Sequence, residues 1–205
     1  MCLDQQIGRN VKAYINDMVV KTKTADNLIA DLEETFANLN KYRWKLNPSK
    51  CIFGVPSGIL LGHIVSARGI KPNPNKVSAI TNMKRPTCVK DIQKLTGCMA
   101  ALSRFISCLG KKGLPFFKLL KASERFTWSE EADTAFEQLK LFLTKPPIMM
   151  VPRPDETLLI YITATSRIIS TAIVVEREDA GHAYKVQCLV YFISEVLNEP
   201  KTRYP

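Results

Sequence analysis

Fifteen of the chain's lysines and arginines fall between Lys45 and Arg125, a stretch in which only Asp91 and Glu124 are acidic. The chemistry open to such a set is anion binding. Ammonium and guanidinium groups pair with phosphates, and each contact with a nucleic-acid backbone releases condensed counterions. A block of this charge repels itself unless a polyanion neutralises it. A solvated basic face kept for solubility is the other reading, and charge alone leaves both open. The asymmetry belongs to one part of the chain: residues 1–125 carry 21 basic and 8 acidic groups, residues 126–205 carry 8 and 11.

Other chemistries find less support. Six cysteines (Cys2, Cys51, Cys88, Cys98, Cys108, Cys188) are scattered without a C-x-x-C pair, and the two histidines, His63 and His182, are far apart. A zinc site needs clustered ligands, so none is expected. The thiols are expected to be free in a reducing compartment. The N-terminus lacks a basic segment followed by an apolar block, so no secretory signal is expected, and no apolar run is long enough to span a membrane. The 205 residues, 46% hydrophobic and 23% charged, suit a folded chain of one large or two small domains.

The elements that would position these groups follow from periodicity. Residues 11–15 and 18–21 are strand-like around a turn at Asn16-Asp17. Leu28, Leu32, Phe36, Leu39 and Tyr42 mark one face of a helix over residues 25–46, ended by Asn47-Pro48. Short strands are expected at 51–53 and 59–65. Asn73-Pro74 starts a helix running to about Met83, with Asn as cap and Pro at the first helical position. Ile92, Leu95, Met99, Leu102 and Ile106 stripe a helix over 89–108 that Gly110 and Gly113 break. A short helix follows at 115–120. Ser129 caps another over 130–143, with Glu130, Glu131 and Asp133 at its positive end. Strands at 158–163, 170–176 and 187–193 then form a sheet face that wants a helical cover, and none remains after them in the chain.

The motif Tyr14-Ile15-Asn16-Asp17 resembles the Tyr-x-Asp-Asp hairpin of reverse transcriptases. The resemblance extends through Gln6 to Val11, Met18 to Lys21, Lys50-Cys51-x-Phe53, Leu61 to Ser66, Gly69-Ile70, Lys76 to Pro86, Gly97 to Phe105 and Phe126-Thr127-Trp128. This order is similar to that of gypsy-type LTR retrotransposon Pol polyproteins, plant elements especially. Residues 158–176 and 191–204 resemble the start of their RNase H-like region. The resemblance implies an α+β chain in three parts. These are the C-terminal part of a polymerase palm (1–70), a basic helical thumb-like segment (71–125), and a truncated RNase H-like or connection domain with a mixed sheet (126–205).

It also implies site residues. In that family the hairpin presents carboxylates to two magnesium ions, helped by a third Asp from an earlier strand, for RNA-directed DNA synthesis. Here the first turn carboxylate is replaced by Asn16, a neutral amide, and Asp17 is the residual metal ligand. The third Asp has no counterpart, so weak or absent magnesium binding is expected. The strand that should end in Asp-Ala-Ser reads Ala164-Thr165-Ser166, leaving the nuclease position without its carboxylate. Leu61, Gly62 and His63 are assigned to primer positioning. Lys50, Lys71, Lys76, Lys84, Arg85, Lys90, Lys94, Lys111 and Lys112 are assigned to the phosphates of a primer–template duplex or RNA–DNA hybrid, contacts that position without reading sequence. Trp128 is expected to be a packing anchor. The remaining polyprotein is the other implied partner, with no membrane and an intracellular setting. Either the chain is inactive alone, or a partner chain completes it as an enzyme, or it is a decayed product.

Overall fold

The computed structural model describes residues 2–22, 24–121, 126–179, 181, 184–198 and 201. Glu124, Arg125, His182 and residues 202–205 lie outside them. The chain forms two compact units, Met1–Ala67 and Arg68–Pro205.

In the first unit, β1 (Val11–Tyr14) and β2 (Asp17–Val20) form an antiparallel hairpin in which Tyr14 faces Asp17. The turn is therefore Ile15-Asn16, one residue earlier than the sequence suggests. A two-residue hairpin loop favours a first residue with positive φ, and here that is Ile15 at φ 51°. The helix α1 (Leu28–Lys41) follows a 3-10 turn at Ala25–Asn27. The loop before β1 is tied to it by buried polar groups. The Gln6 amide donates to Thr35 Oγ1 at 3.0 Å and accepts from Asn38 Nδ2 at 2.9 Å, while Asn10 Nδ2 donates to Asp31 at 2.7 Å. Thr35 and Leu39 are the buried side chains of α1, whereas Phe36, expected on the core stripe, is exposed and meets the Phe53 ring edge-on at 6.2 Å.

Helix α1 stops at Lys41, not near residue 46, because its end is a Schellman motif. The Trp44 amide donates to the Leu39 carbonyl and the Arg43 amide to that of Asn40, both at 2.9 Å. Arg43 occupies the left-handed position at φ 56°, where glycine carries no penalty. Arg43→Gly is therefore expected to stabilise this unit by about 1 kcal/mol, read as a rise in the unfolding transition reported by Trp44.

Beyond a 3-10 turn at Pro48–Lys50, the strand expected over 59–65 is a hairpin, β3 (Ser57–Leu60) with β4 (His63–Ser66), and 51–53 is not a strand. Leu61 and Gly62 both adopt positive φ, 51° and 74°, and fold the chain back.

The second unit opens with β5 (Gly69–Pro72), bonded to Met149 in both directions at 2.8 and 2.9 Å. Then come α2 (Pro74–Thr81), α3 (Val89–Ala101), α4 (Leu109–Lys121) and α5 (Glu130–Thr144). The expected caps form: Asn73 accepts from the Asn75 amide at 2.9 Å, and Ser129 from that of Ala132 at 3.2 Å. The long helix expected over 89–108 ends at Ala101. A 3-10 turn, Ser103–Phe105, and an extended Ile106 then bury Leu102, Phe105 and Ile106. Gly110, Gly113 and Pro115 do not break α4 but lie within it. A single core joins Ile80, Ile92, Leu95, Met99, Leu102, Phe105 and Phe116 to Phe136, Leu139, Leu143 and Met149. Helices α2, α3 and α4 thus share their core with α5.

The sheet β6 (Leu159–Ala164), β7 (Ile168–Arg177), β8 (Val186–Val196) has both pairings antiparallel. Its cover precedes it in the chain. A Cβ on Gly110 would stand 3.1 Å from Ile168 Cγ2 and 3.1 Å from Ser194 Oγ, so a larger residue would press on both side chains where α4 meets the sheet. The Gly110 amide also donates to Ser194 Oγ at 2.9 Å.

Arg177 at the end of β7 clamps the loop before β6. Its Nε and Nη2 donate to the two Glu156 oxygens at 2.7 Å each, and Nη2 reaches the Val151 carbonyl at 2.9 Å. These bonds, with one from the Arg153 amide, hold the Glu156 carboxyl down at about 2. A carboxyl lowered by folding contributes stability that is complete above its unfolded pKa and is lost as pH falls through the folded one. The melting-temperature difference between this chain and Arg177→Gln should therefore be constant above about pH 5, shrinking toward zero as the pH approaches about 2.

Candidate functional site

Hairpin β1–β2 holds Asn16 in its turn and Asp17 as the first residue of β2, both exposed. Ile15 beside them is 78% exposed and left-handed. A β-branched residue at positive φ stores strain in the turn. The donors offered there are one carboxylate and one amide. Two dications in a phosphoryl-transfer site need several anionic oxygens, so this pair does not fit them. Among the described residues no three His, Cys, Asp or Glu side chains are grouped to hold a metal ion.

Leu61 and Gly62 form the β3–β4 turn, and His63 opens β4 opposite Leu60, half-buried. Leu61 is exposed, so the segment assigned to primer positioning is the tip of a tight hairpin. Lys50 ends the 3-10 turn of the same unit and is exposed.

In the second unit the basic residues divide into two kinds. Lys90 and Lys94, one helical turn apart on α3, are exposed, as is Lys84 before it; Lys71 on β5 and Lys76 on α2 are half-buried. The acid nearest to them in the chain, Asp91, is engaged in capping: it accepts from the Thr87 amide at 2.9 Å and hydroxyl at 3.1 Å, bonds that lower its pKa. Two other assigned cations have intramolecular partners. Arg85 pairs with Asp133 at 3.5 Å and lies over the Trp128 ring. Lys112 donates to Ser107 Oγ at 3.0 Å and stands 3.9 Å from the centre of the Phe142 ring, its pKa lowered by burial. Lys111 remains exposed. Trp128 is a packing anchor, stacked on Phe116, edge-on to Phe136, and donating to Asp133 at 2.8 Å.

Two residues of the α3 face were given no binding role from the sequence. Gln93 and Gly97 are exposed and stand at helical spacing with Lys90 and Lys94, and nothing lies within 4 Å of where a Gly97 Cβ would be. The spacing 90, 93, 94, 97 was the available signal. Two cations, an amide and a bare backbone patch form a surface able to meet a polyanion closely.

Ala164 ends β6 opposite Ile169 and is exposed. The neighbouring Thr165 shapes the β6–β7 turn: its Oγ1 accepts from the Ile168 amide at 3.0 Å, and its own amide donates to the Ile168 carbonyl at 2.8 Å. This strand end carries no acid.

Residues 128–205 match the family model of the RNase H-like domain found in reverse transcriptase. Over 199 residues the chain is 28% identical to the retrovirus-related Pol polyprotein from transposon 297 of Drosophila melanogaster, covering 97% of this chain and 18% of that protein. It is equally similar to the Pol polyprotein from transposon opus of the same organism, with 98% and 21% covered. Against the transposon Tf2-3 polyprotein of Schizosaccharomyces pombe it is 23% identical over 140 residues, 68% of the chain and 10% of that protein. The chain thus spans about a fifth of the length of the Drosophila relatives. Its fold resembles that of the foamy viral protease-reverse transcriptase in complex with RNA/DNA hybrid: TM-score 0.80, 16% identity, 100% of this chain and 27% of that one. The same viral protein in complex with dsDNA gives a TM-score of 0.77 with 99% and 42% covered.

Proposed function

We propose that this stretch of a retrotransposon reverse transcriptase/RNase H-like Pol polyprotein, gypsy-type by its motif order, binds a primer–template duplex or RNA–DNA hybrid without sequence preference and does not polymerise or cleave by itself. The observation that carries this reading is the exposed face of α3, where Lys90, Gln93, Lys94 and Gly97 stand together. Such a face suits a phosphate backbone, whose recognition by lysine is electrostatic and carries no base information. That the foamy viral structures of similar fold hold RNA/DNA hybrid and dsDNA supports the choice of ligand. The division into palm part, thumb-like segment and connection domain belongs to the same proposal.

Loss of chemistry is argued from the donors. Asp17 alone offers negative charge at the hairpin turn, and Ala164 offers none at the end of β6. A magnesium pair would find too few anionic oxygens at either place, so no catalytic step is assigned to these residues.

The second reading is an enzyme completed by another chain, favoured by the exposure of Asp17 on a tight turn. Primer extension with magnesium or manganese separates the two. The unaltered chain and Asn16→Asp are both expected to incorporate no nucleotide. Incorporation by the unaltered chain would overturn the inactive reading, and incorporation by Asn16→Asp alone would place the defect wholly at that amide. A cooperative unfolding transition is expected, against a decayed chain that folds poorly.

A further inference from the structure

We propose that Asn16 is a deamidation site, at which loss of the side-chain amide installs a second carboxylate beside Asp17. The reaction needs an asparagine whose following backbone nitrogen carries a proton and can reach the side-chain Cγ. That nitrogen, deprotonated by solvent base, attacks Cγ; a C–N bond forms, the C–N bond of the side-chain amide breaks, and ammonia leaves. Water then opens the resulting cyclic imide at either carbonyl, giving aspartate or isoaspartate. Asparagine and water have become an acidic residue and ammonia, with no oxidant or reductant.

The structure sorts the chain's asparagines by this requirement. Asn47 and Asn73 are followed by Pro48 and Pro74, whose nitrogens have no proton. Asn38, Asn40 and Asn75 lie inside α1 and α2, and Asn27 immediately precedes α1, where helical backbone holds nucleophile and carbonyl apart. Asn10 is buried. Asn16, Asn82 and Asn198 remain, all exposed. The nitrogen after Asn82 is bonded to the Ile80 carbonyl at 3.0 Å, and the Asn198 side chain accepts from the Lys201 amide at 3.3 Å.

The nitrogen after Asn16 belongs to Asp17, which forms the turn-proximal hydrogen-bonded pair with Tyr14. This nitrogen, like the one after Asn82, is therefore released only when its bond opens; what distinguishes Asn16 is the strain in its turn. The strands are four residues each, and the left-handed Ile15 strains the closed turn. The aspartyl product is covalently the Asn16→Asp variant, so the turn acquires charge without a change in the gene.

Peptide mapping of the full chain after incubation at mildly alkaline and mildly acidic pH tests this, with a urea-unfolded sample in parallel. The peptide containing Asn16 should gain the mass of amide-to-acid conversion several-fold faster than those containing Asn82 or Asn198. Conversion should be faster in alkali, and an isoaspartate fraction should accompany it. Asn16→Gln should abolish the acidic species on ion exchange. Earlier conversion at any other asparagine overturns the proposal, as does conversion at Asn16 only in the unfolded sample.

Discussion

Gly69→Ala is expected to destabilise the second unit by roughly 3–5 kcal/mol, a loss at the severe end for one substitution and a large part of ordinary domain stability. The added Cβ would stand 2.3 Å from the Met149 carbonyl oxygen and 3.1 Å from Ile148 Cγ2. The first contact is with backbone, so no rotamer relieves it. Gly69 also sits at φ +119°, a region L-residues rarely enter. To admit the methyl group, the Ile70–Met149 bridge must part, and Met149 belongs to the core formed with α2 to α5. Thermal unfolding followed by Trp128 fluorescence in a Trp44→Phe background isolates this unit, and a fall in melting temperature on the order of 10 °C is expected. Gly97→Ala is the contrast. Its Cβ meets nothing within 4 Å, and the helix should gain up to about 1 kcal/mol. Equal effects of the two changes would refute the steric account.

The same contrast explains what could be read along the chain. Helices α2 and α5 were legible because their starts are locally self-contained: Asn73 and Ser129 satisfy amides two or three residues on. Strands β6 to β8 were legible as strand-like runs separated by turn residues. What escaped were left-handed positions held by residues other than glycine. Arg43 ends α1, Leu61 splits an expected strand into a hairpin, and Ile15 moves the first turn by one residue. Side-chain type argues against positive φ at all three, yet each sits where a two-residue hairpin loop or a helix C-cap requires it. Gly110 misled in the opposite sense. It is a helix breaker by propensity, but here it lets α4 meet Ile168 and Ser194, partners distant in sequence.

The candidate site divides similarly. The adjacency of Asn16 and Asp17 needs no fold to be seen, nor does the helical spacing of Lys90 and Lys94. That Arg85 is drawn to Asp133 and Trp128, and Lys112 to Phe142, depends on how α5 packs, which periodicity does not reveal. Counting charge therefore overstates the cations available to a ligand.

That difference sets the size of the salt effect on hybrid binding. If Lys71, Lys76, Lys84, Lys90 and Lys94 each neutralise one phosphate, log K should fall against log salt with a slope of about −4.5, or ~500-fold in affinity between 50 and 200 mM. Replacing Lys90 and Lys94 together by alanine removes two contacts. The slope should drop to about −2.7, leaving ~40-fold over the same range, and affinity should fall equally for hybrids of unrelated sequence. Arg85→Ala and Lys112→Ala should leave the slope unchanged, because those cations already have intramolecular partners. Anisotropy titrations of a labelled RNA–DNA hybrid at several salt concentrations measure all four quantities. A slope insensitive to Lys90 and Lys94, or one that changes as much with Lys112, would remove α3 as the binding face.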